Sequence, residues 1–295
     1  MTSTPDFGHG RNEPGLHQQL WSYQVPTRKT LDLFNFEPDE ILFNMDGNFG
    51  GCNYKASHDE LRHLWLEAAR LFPRTGLWPL LSDSRDIWKG TCIGKRGWGN
   101  DEYYQPVLMY DGHFLENAYD FYRYVLSELE YTPEEIEEDF NEEFGDLGEW
   151  NRHPDLARAA RQPDDILSRL EVPGIESNKG KHPYRSLVLV ACHRPSDAIA
   201  LVDRGLIANE DVTPYIYWKI LRGWELRFGV VPVSFGIWTD FQCLMPPDEE
   251  IDAKLFSHEI FAFAEDSYCQ GGISTELGGK LEILGKARQW EIWWD

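Results

Sequence analysis

The apolar run at residues 186–192, Ser-Leu-Val-Leu-Val-Ala-Cys, constrains the fold of this chain more than any other feature. A run of this kind, without alternating polar residues, is typical of a strand that is buried on both faces of its sheet. Pro195 then begins a helix, which Gly205 ends. Because a strand buried on both faces needs helices to cover it, this segment predicts a sheet flanked by helices.

The rest of the C-terminal part continues this pattern. Hydrophobic periodicity and turn residues predict a long helix at 212–228, then strands at 230–236 and 237–244. Helices at 248–263 and 275–284 and a final strand at 289–294 follow. The resulting order is β-α-α-β-β-α-α-β. It predicts a mixed β-sheet with helices around it, in the α/β class, with α+β left open.

Composition and punctuation divide the chain into four segments. Residues 1–40 form an irregular N-terminal extension, and residues 41–150 an acidic α/β region. A linker at 151–185 precedes the C-terminal domain at 186–295. We expect the extension to lie on the body of the protein or to stay mobile. The linker is punctuated by Pro154, Pro163 and Pro173, and we expect it to consist of short helical turns.

Two elements of the acidic region have clear boundaries. Ser57 and Glu60 have the spacing of a capping box, which predicts a helix at residues 58–72 that ends at Pro73. The apolar run at residues 76–81 predicts a buried strand broken by its proline.

The charge of the chain excludes two classes of function. Against 50 Asp and Glu stand 28 Lys and Arg, a formal net charge of −22. Nucleic-acid binding needs clustered basic side chains, and anionic lipid attracts them as well. We therefore expect neither a nucleic-acid partner nor a membrane partner.

The acids are concentrated in the first half of the chain. Residues 124–151 hold 11 acidic side chains and no Lys or Arg. Thr132 and Glu135 predict a capped helix there, whose acids repel one another unless a positive surface lies opposite. The candidate partner-binding residues are Glu134, Glu135, Glu138, Asp139 and Glu142. They predict a possible basic protein partner.

Compartment and cofactor follow from weaker signals. The five cysteines are scattered, with no Cys-x-x-Cys pair, so we expect thiols in a reducing cytoplasm. The N-terminus lacks the apolar core of a signal peptide, and no apolar run is long enough to span a membrane. No metal site is predicted, because no His or Cys cluster completes a ligand shell. No cofactor is predicted either.

The junction between the first C-terminal strand and its helix is the first candidate ligand site. A helix N-terminus offers backbone N–H groups and a positive dipole to an anion. There the pKa of the Cys192 thiol is expected to be lowered, with His193 beside it and Asp197 orienting the imidazole. The alternative is that Cys192 belongs to the core, because neighbouring strand residues point to opposite faces.

The second candidate ligand site is the stretch around Asp266, Gln270 and Gly271. The glycine pair at residues 271–272 allows the backbone to approach a ligand closely. A turn between two helices, with both glycines in the left-handed conformation, remains the alternative.

Several motifs resemble a family catalogued as domain of unknown function 4253, whose members are mostly soluble bacterial proteins. They are LVLVACHRPSDA at 187–198, LRGWELRFG at 221–229 and WEIWWD at 290–295, with a thinner similarity in PRTGLWPLL at 73–81. The family tends to have Cys-Pro-Asp before a Gln-Gly pair, whereas residues 264–271 read AEDSYCQG. The resemblance implies a fold and a compartment, and no established activity.

Two hypotheses of function follow. The first is a non-catalytic, acidic protein-interaction module, by analogy with immunity proteins that neutralise basic toxins. The second is a small-ligand binder or hydrolase with its site at residues 192–197 and 270–271. A third reading, in which the acids only confer solubility, stays open.

Overall fold

The computed structural model describes residues 22, 25–43, 49–82, 131–135, 138, 166–174, 183–202, 214–236, 238–248, 250–264, 274–275 and 281–293. The helices are α1 (His58–Thr75), α2 (Pro195–Val202), α3 (Pro214–Phe228), α4 (Glu250–Phe263) and α5 (Leu281–Leu284). The strands are β1 (Glu40–Phe43), β2 (Phe49–Tyr54), β3 (Leu77–Ser82), β4 (Ser186–Ala191), β5 (Val230–Pro232), β6 (Trp238–Cys243), β7 (Ser274–Thr275) and β8 (Gln289–Trp293). Arg28–Leu33 and Ile166–Arg169 form short 3-10 helices.

The strands form two four-stranded sheets. One has the order β1-β2-β4-β3 and the other the order β5-β6-β8-β7. Every pairing between these strands is antiparallel. A parallel bridge between Leu81 and Ser234 joins the sheets, with Leu81 N–H donating to Val233 and Phe235 N–H donating to Leu81. The expected α/β or α+β class is confirmed, and the mixed sheet is two antiparallel sheets meeting at one parallel bridge.

Helix α1 begins where its capping box predicts. The Ser57 hydroxyl accepts a hydrogen bond from Glu60 N–H at 3.4 Å. The predicted end at Pro73 is wrong, because the helix continues through this residue to Thr75. Gly76 ends it instead, since its φ of 67° is open to glycine and its N–H bonds the Phe72 carbonyl.

Strand β3 is unbroken, contrary to the prediction that its proline interrupts it. Pro79 is tolerated because its nitrogen faces away from β4, on the same side as Leu81 N–H, so no bond of the ladder with β4 is lost. The Pro79 carbonyl accepts from the Trp65 indole at 2.9 Å. The Trp78 indole donates to Pro232 at 2.9 Å, which ties β3 to the other sheet.

Strand β4 joins the two halves of the sequence. It lies between β2 and β3, pairing Leu189 with Cys52 on one side and with Pro79 on the other. The proposed boundary at residue 186 therefore runs between strands of one sheet. The described part of the proposed linker also packs on both halves, since Arg70 bonds the Leu170 carbonyl and Arg169 bonds that of Leu244.

The C-terminal elements follow the predicted order with one correction. The expected helix at residues 275–284 is replaced at its start by the two-residue strand β7, and helix is described only for α5. β7 pairs with β8, placing Thr275 opposite Trp290. Below this sheet Trp224 packs edge-on against Phe256 and Trp290. The burial of these large rings fixes α3 and α4 on the sheet.

Candidate functional site

Cys192 lies in the core. Its side chain is buried among the apolar residues between the sheet and the helices, and its backbone N–H donates to the Gly76 carbonyl. Burial, and next the negative charge of Asp197, raise the pKa of its thiol well above the usual value. The expectation of a lowered thiol pKa is therefore wrong. A thiol in this setting is a poor nucleophile, because the thiolate is the reactive form.

His193 faces the N-terminal extension. Its Nδ1 lies 3.0 Å from the Ser22 carbonyl oxygen, and its own carbonyl accepts from Ser22 N–H at 2.8 Å. Ser22 is buried at this contact. The extension therefore lies on the body of the protein at this point.

The N-terminus of α2 holds an anion, as its free N–H groups predict, but the anion belongs to the protein. Ser196 N–H donates to Glu225 Oε2 at 2.9 Å, and Arg194 Nε donates to Glu225 Oε1 at 2.5 Å. Neither charged side chain of this pair is exposed. The carboxylate of α3 thus takes the position that the sequence offered to a ligand.

Asp197 is part of the same network. It accepts from Arg194 N–H at 3.1 Å and forms an ion pair with Arg222, whose Nε donates to the Ser196 hydroxyl at 2.8 Å. Arg222 and Glu225 sit three residues apart on α3, and each pairs with a residue near the start of α2. The expected role of Asp197 in orienting His193 stays a prediction, since its described partners are the two arginines.

A third buried ion pair joins α3 to α4. Arg227 Nη1 lies 2.9 Å from Glu259 Oε1, and its Nη2 contacts Glu259 Oε2. The Trp224 indole also donates to Glu259, at 2.9 Å. The side chains of the ion pair are at most 2% exposed.

These three ion pairs hold α2, α3 and α4 together. Buried charges are tolerated only when they are paired and hydrogen-bonded, which fits a structural role. Sequence reasoning missed them, although Arg222, Glu225 and Arg227 gave a signal. They lie within the otherwise apolar and aromatic stretch at residues 220–228, where unpaired charges are not expected.

A second polar cluster lies where the two sheets meet. Asp240 on β6 is the register partner of Glu291 on β8, so both carboxylates share one face, and both are buried. Asp240 Oδ2 accepts from the Tyr184 hydroxyl at 2.7 Å and from the Ser234 hydroxyl at 2.5 Å. Burial, and then the charge of Asp240, raise the pKa of Tyr184 well above its usual value. Tyr184 is therefore held as a hydrogen-bond donor. This cluster was not predicted, because Tyr184, Asp240 and Glu291 are far apart in sequence.

The described acids of the acidic helix lie at the surface. Residues 133–135 and 138 are helical, and Glu134, Glu135 and Glu138 are exposed. Thr132 N–H and its hydroxyl each donate to Glu135 Oε2 at 2.8 Å, which confirms the capping box and lowers the pKa of Glu135. Asp139 and Glu142 lie outside the described residues.

The second candidate ligand site, with Asp266, Gln270 and Gly271, also lies outside the described residues. Within the described part of the chain, no group of three or more His, Cys, Asp or Glu side chains is arranged to hold a metal. Within the same part, no helix has the length and apolar character of a membrane span. No disulfide joins Cys52, Cys192 or Cys243.

A family model decides the relationship of the C-terminal part. Residues 186–295 match the family described as Domain of unknown function (DUF4253). The predicted resemblance is confirmed for this segment. The three buried ion pairs all lie within the DUF4253 segment, whereas strands β2 and β3 that flank its first strand lie outside it. No curated protein and no solved structure matches the chain.

Proposed function

We propose that the protein is a non-catalytic, acidic interaction module that binds a basic protein partner in the bacterial cytoplasm. The observation that carries this proposal is the acidic helix. Glu134, Glu135 and Glu138 are exposed, in a stretch of chain that holds no Lys or Arg. Such a surface attracts a basic partner, and association of this kind is fast and sensitive to salt.

The buried ion pairs support the proposal indirectly. Each of them joins one cation to one anion, so together they add nothing to the net charge. The net charge of −22 therefore resides on the rest of the chain. Burial of these pairs removes three basic and three acidic side chains from the surface, so it leaves the net charge of the remaining side chains at −22.

The arrangement of the strand–helix junction does not favour a hydrolase site there. Cys192 is buried with a raised thiol pKa, and the N–H of Ser196 is occupied by Glu225. A nucleophile needs a lowered pKa and an open position for the reacting atom. The arrangement at residues 192–197 meets neither requirement.

Affinity capture at two ionic strengths tests the proposal. The full chain is immobilised and exposed to a bacterial lysate, and proteins bound at low salt are identified by mass spectrometry. We expect a basic protein that is lost at high salt. The variant Glu134→Gln, Glu135→Gln, Glu138→Gln is expected to retain at most about a tenth of it at low salt.

A control variant separates a specific surface from total charge. Glu67, Asp248 and Glu250 are exposed acids elsewhere on the chain. Changing them to Gln, Asn and Gln removes the same number of charges and should leave the captured amount nearly unchanged. Equal losses in the two variants, or capture of no basic protein by the wild type, would contradict the proposed function.

A further inference from the structure

Strand β1 is the outer strand of its sheet among the described residues. It pairs with β2 on one side and stands at the end of the order β1-β2-β4-β3. Alternate backbone N–H and C=O groups of such a strand point away from its neighbour, and no other described strand pairs with them in β1. Phe43, at its end, is 50% exposed.

Acidic residues cluster at the start of β1, where the exposed Lys55 also lies and donates its backbone N–H to Asp39 at 2.7 Å. Glu37 and Asp39 just before the strand are exposed, and Glu40 is its first residue. Glu60 on α1 reaches the same place, because it bonds the Tyr54 hydroxyl at 3.3 Å and, with Asp39, raises the pKa of that phenol after burial. Four carboxylates therefore surround one end of the β1–β2 pair.

An apolar surface accompanies these acids. The Phe36 ring packs on Tyr54 at 4.7 Å and on Phe34 at 5.4 Å. Ile41 is partly buried against the same core, whereas Phe43 is half exposed. The edge thus offers backbone groups, negative charge and exposed apolar area together.

From these features we infer that β1 accepts an extended, basic segment of the partner as an added strand. Main-chain hydrogen bonds to β1 give affinity, and alternating basic and apolar side chains match the acids and the apolar surface. A second copy of this chain is disfavoured, because each copy carries a net charge of −22 and the two would repel. The inference rests on the proposed function only for the basic character of the partner.

Two synthetic peptides test the inference directly on the full chain. One has five Lys-Val repeats, and the other has five Lys-Pro repeats with the same charge. Proline lacks the N–H that a strand ladder needs. At low ionic strength we expect the Lys-Val peptide to bind at least about tenfold more tightly. It should also slow hydrogen exchange in residues 39–43, whereas the Lys-Pro peptide should not.

A pair of charge-reversal variants locates the binding. Glu37→Lys with Glu40→Lys should abolish the preference for the Lys-Val peptide. The control variant, Glu67→Lys with Glu250→Lys, changes the net charge equally and should keep the preference. Equal affinities of the two peptides for the wild type, or an unchanged preference after the Glu37 and Glu40 reversal, would overturn strand addition.

The capture experiment and the peptide experiment fail separately. If the Glu134, Glu135 and Glu138 variant loses its partner while the peptides bind equally, the interaction module stands and strand addition at β1 is wrong. If the peptides discriminate at β1 while no basic protein is captured, the edge binds strands and the proposed function is wrong.

Discussion

Two regions of the molecule carry charge in opposite ways. In the DUF4253 segment, the guanidinium groups of Arg194, Arg222 and Arg227 are buried against carboxylates of neighbouring helices. In the acidic helix, Glu134 and Glu138 are exposed, and their stretch of chain holds no basic residue. The three ion pairs contribute nothing to the net charge of the chain, because their charges cancel. Buried charge fixes helices in place, whereas exposed charge is available to a partner.

The buried thiols of the chain provide the strongest test of this contrast. In a Cys92→Ser, Cys269→Ser background, the remaining thiols are Cys52, Cys192 and Cys243, and all three are buried. Burial raises the pKa of Cys52 to about 12 and that of Cys192 well above its usual value. We expect the native variant to react with a disulfide reagent at least about 1000-fold more slowly than the urea-unfolded variant, since reaction requires opening of the fold.

This thiol experiment bears on the catalytic hypothesis as well. One equivalent of fast reaction in the native variant, assigned to Cys192 by peptide mapping, would restore it as a candidate nucleophile. The buried region would then contain a reactive site, and the contrast between the two regions would fail.

Breaking one buried ion pair should have the next largest effect. Glu259→Ala leaves Arg227 and the Trp224 indole without their described carboxylate partner. Removing one partner of a buried pair typically costs about 3–5 kcal/mol, because the other charge stays in the interior. Urea denaturation measures the free energy of unfolding. The matched control is Glu250→Ala in the same helix, where the carboxylate is 93% exposed and little change is expected.

A double replacement refines the interpretation of this pair. Arg227→Met with Glu259→Leu removes both charges and fills similar volume, so it should recover most of the lost stability. If Glu259→Ala lowers the free energy of unfolding no more than Glu250→Ala does, the ion pair does not stabilise the fold. Buried and exposed charges would then contribute equally to stability.

Local patterns of the sequence predicted the elements well where one signal decided them. Ser57 begins α1, Pro195 begins α2, and Gln289 begins the last strand, as expected. The predictions from Pro73 and Pro79 were wrong, because the effect of a proline on a helix or strand depends on its position there. Pro73 lies in the last turn of its helix, and the nitrogen of Pro79 faces away from the neighbouring strand β4.

The candidate site was predictable only in part, for a tertiary reason. The start of α2 was correctly identified as a place for an anion, but its occupant, Glu225, lies 29 residues from Ser196 in sequence. Likewise, Glu259 lies 32 residues from Arg227. No local pattern pairs such residues. The exposure of Glu134 and Glu138 was predictable, because a stripe of acids needs water or a partner.

The two capped helices give a smaller and more local test of the contrast. Ser57→Ala removes the cap of α1, which packs on the sheet, and should lower the free energy of unfolding by about 1 kcal/mol. Thr132→Ala removes the equivalent cap of the acidic helix, where Thr132 and Glu135 are exposed. It should reduce helix content, measured by circular dichroism, without changing the global unfolding transition. Equal effects on that transition would show that the acidic helix is part of the cooperative core.

The smallest expected effect concerns His58, which is partly buried and lies at the start of α1. Its Nδ1 accepts from Tyr184 N–H at 2.9 Å, and the two rings stack at 4.9 Å. Burial, and then the positive charge of Arg62, lower the pKa of His58, while Asp59 opposes the shift. Below about pH 6.5 the unfolded chain takes up a proton at this imidazole that the folded chain resists. Stability should therefore fall as pH falls from 6.5 toward the lower folded-state pKa.

Urea midpoints measured across this range should show a slope that His58→Asn removes, because its amide oxygen still accepts the bond without titrating. The control, His63→Asn on the exposed side of the same helix, should keep the slope. If the slope persists in His58→Asn, its source lies in another titrating group, and the contact between His58 and Tyr184 does not couple pH to folding.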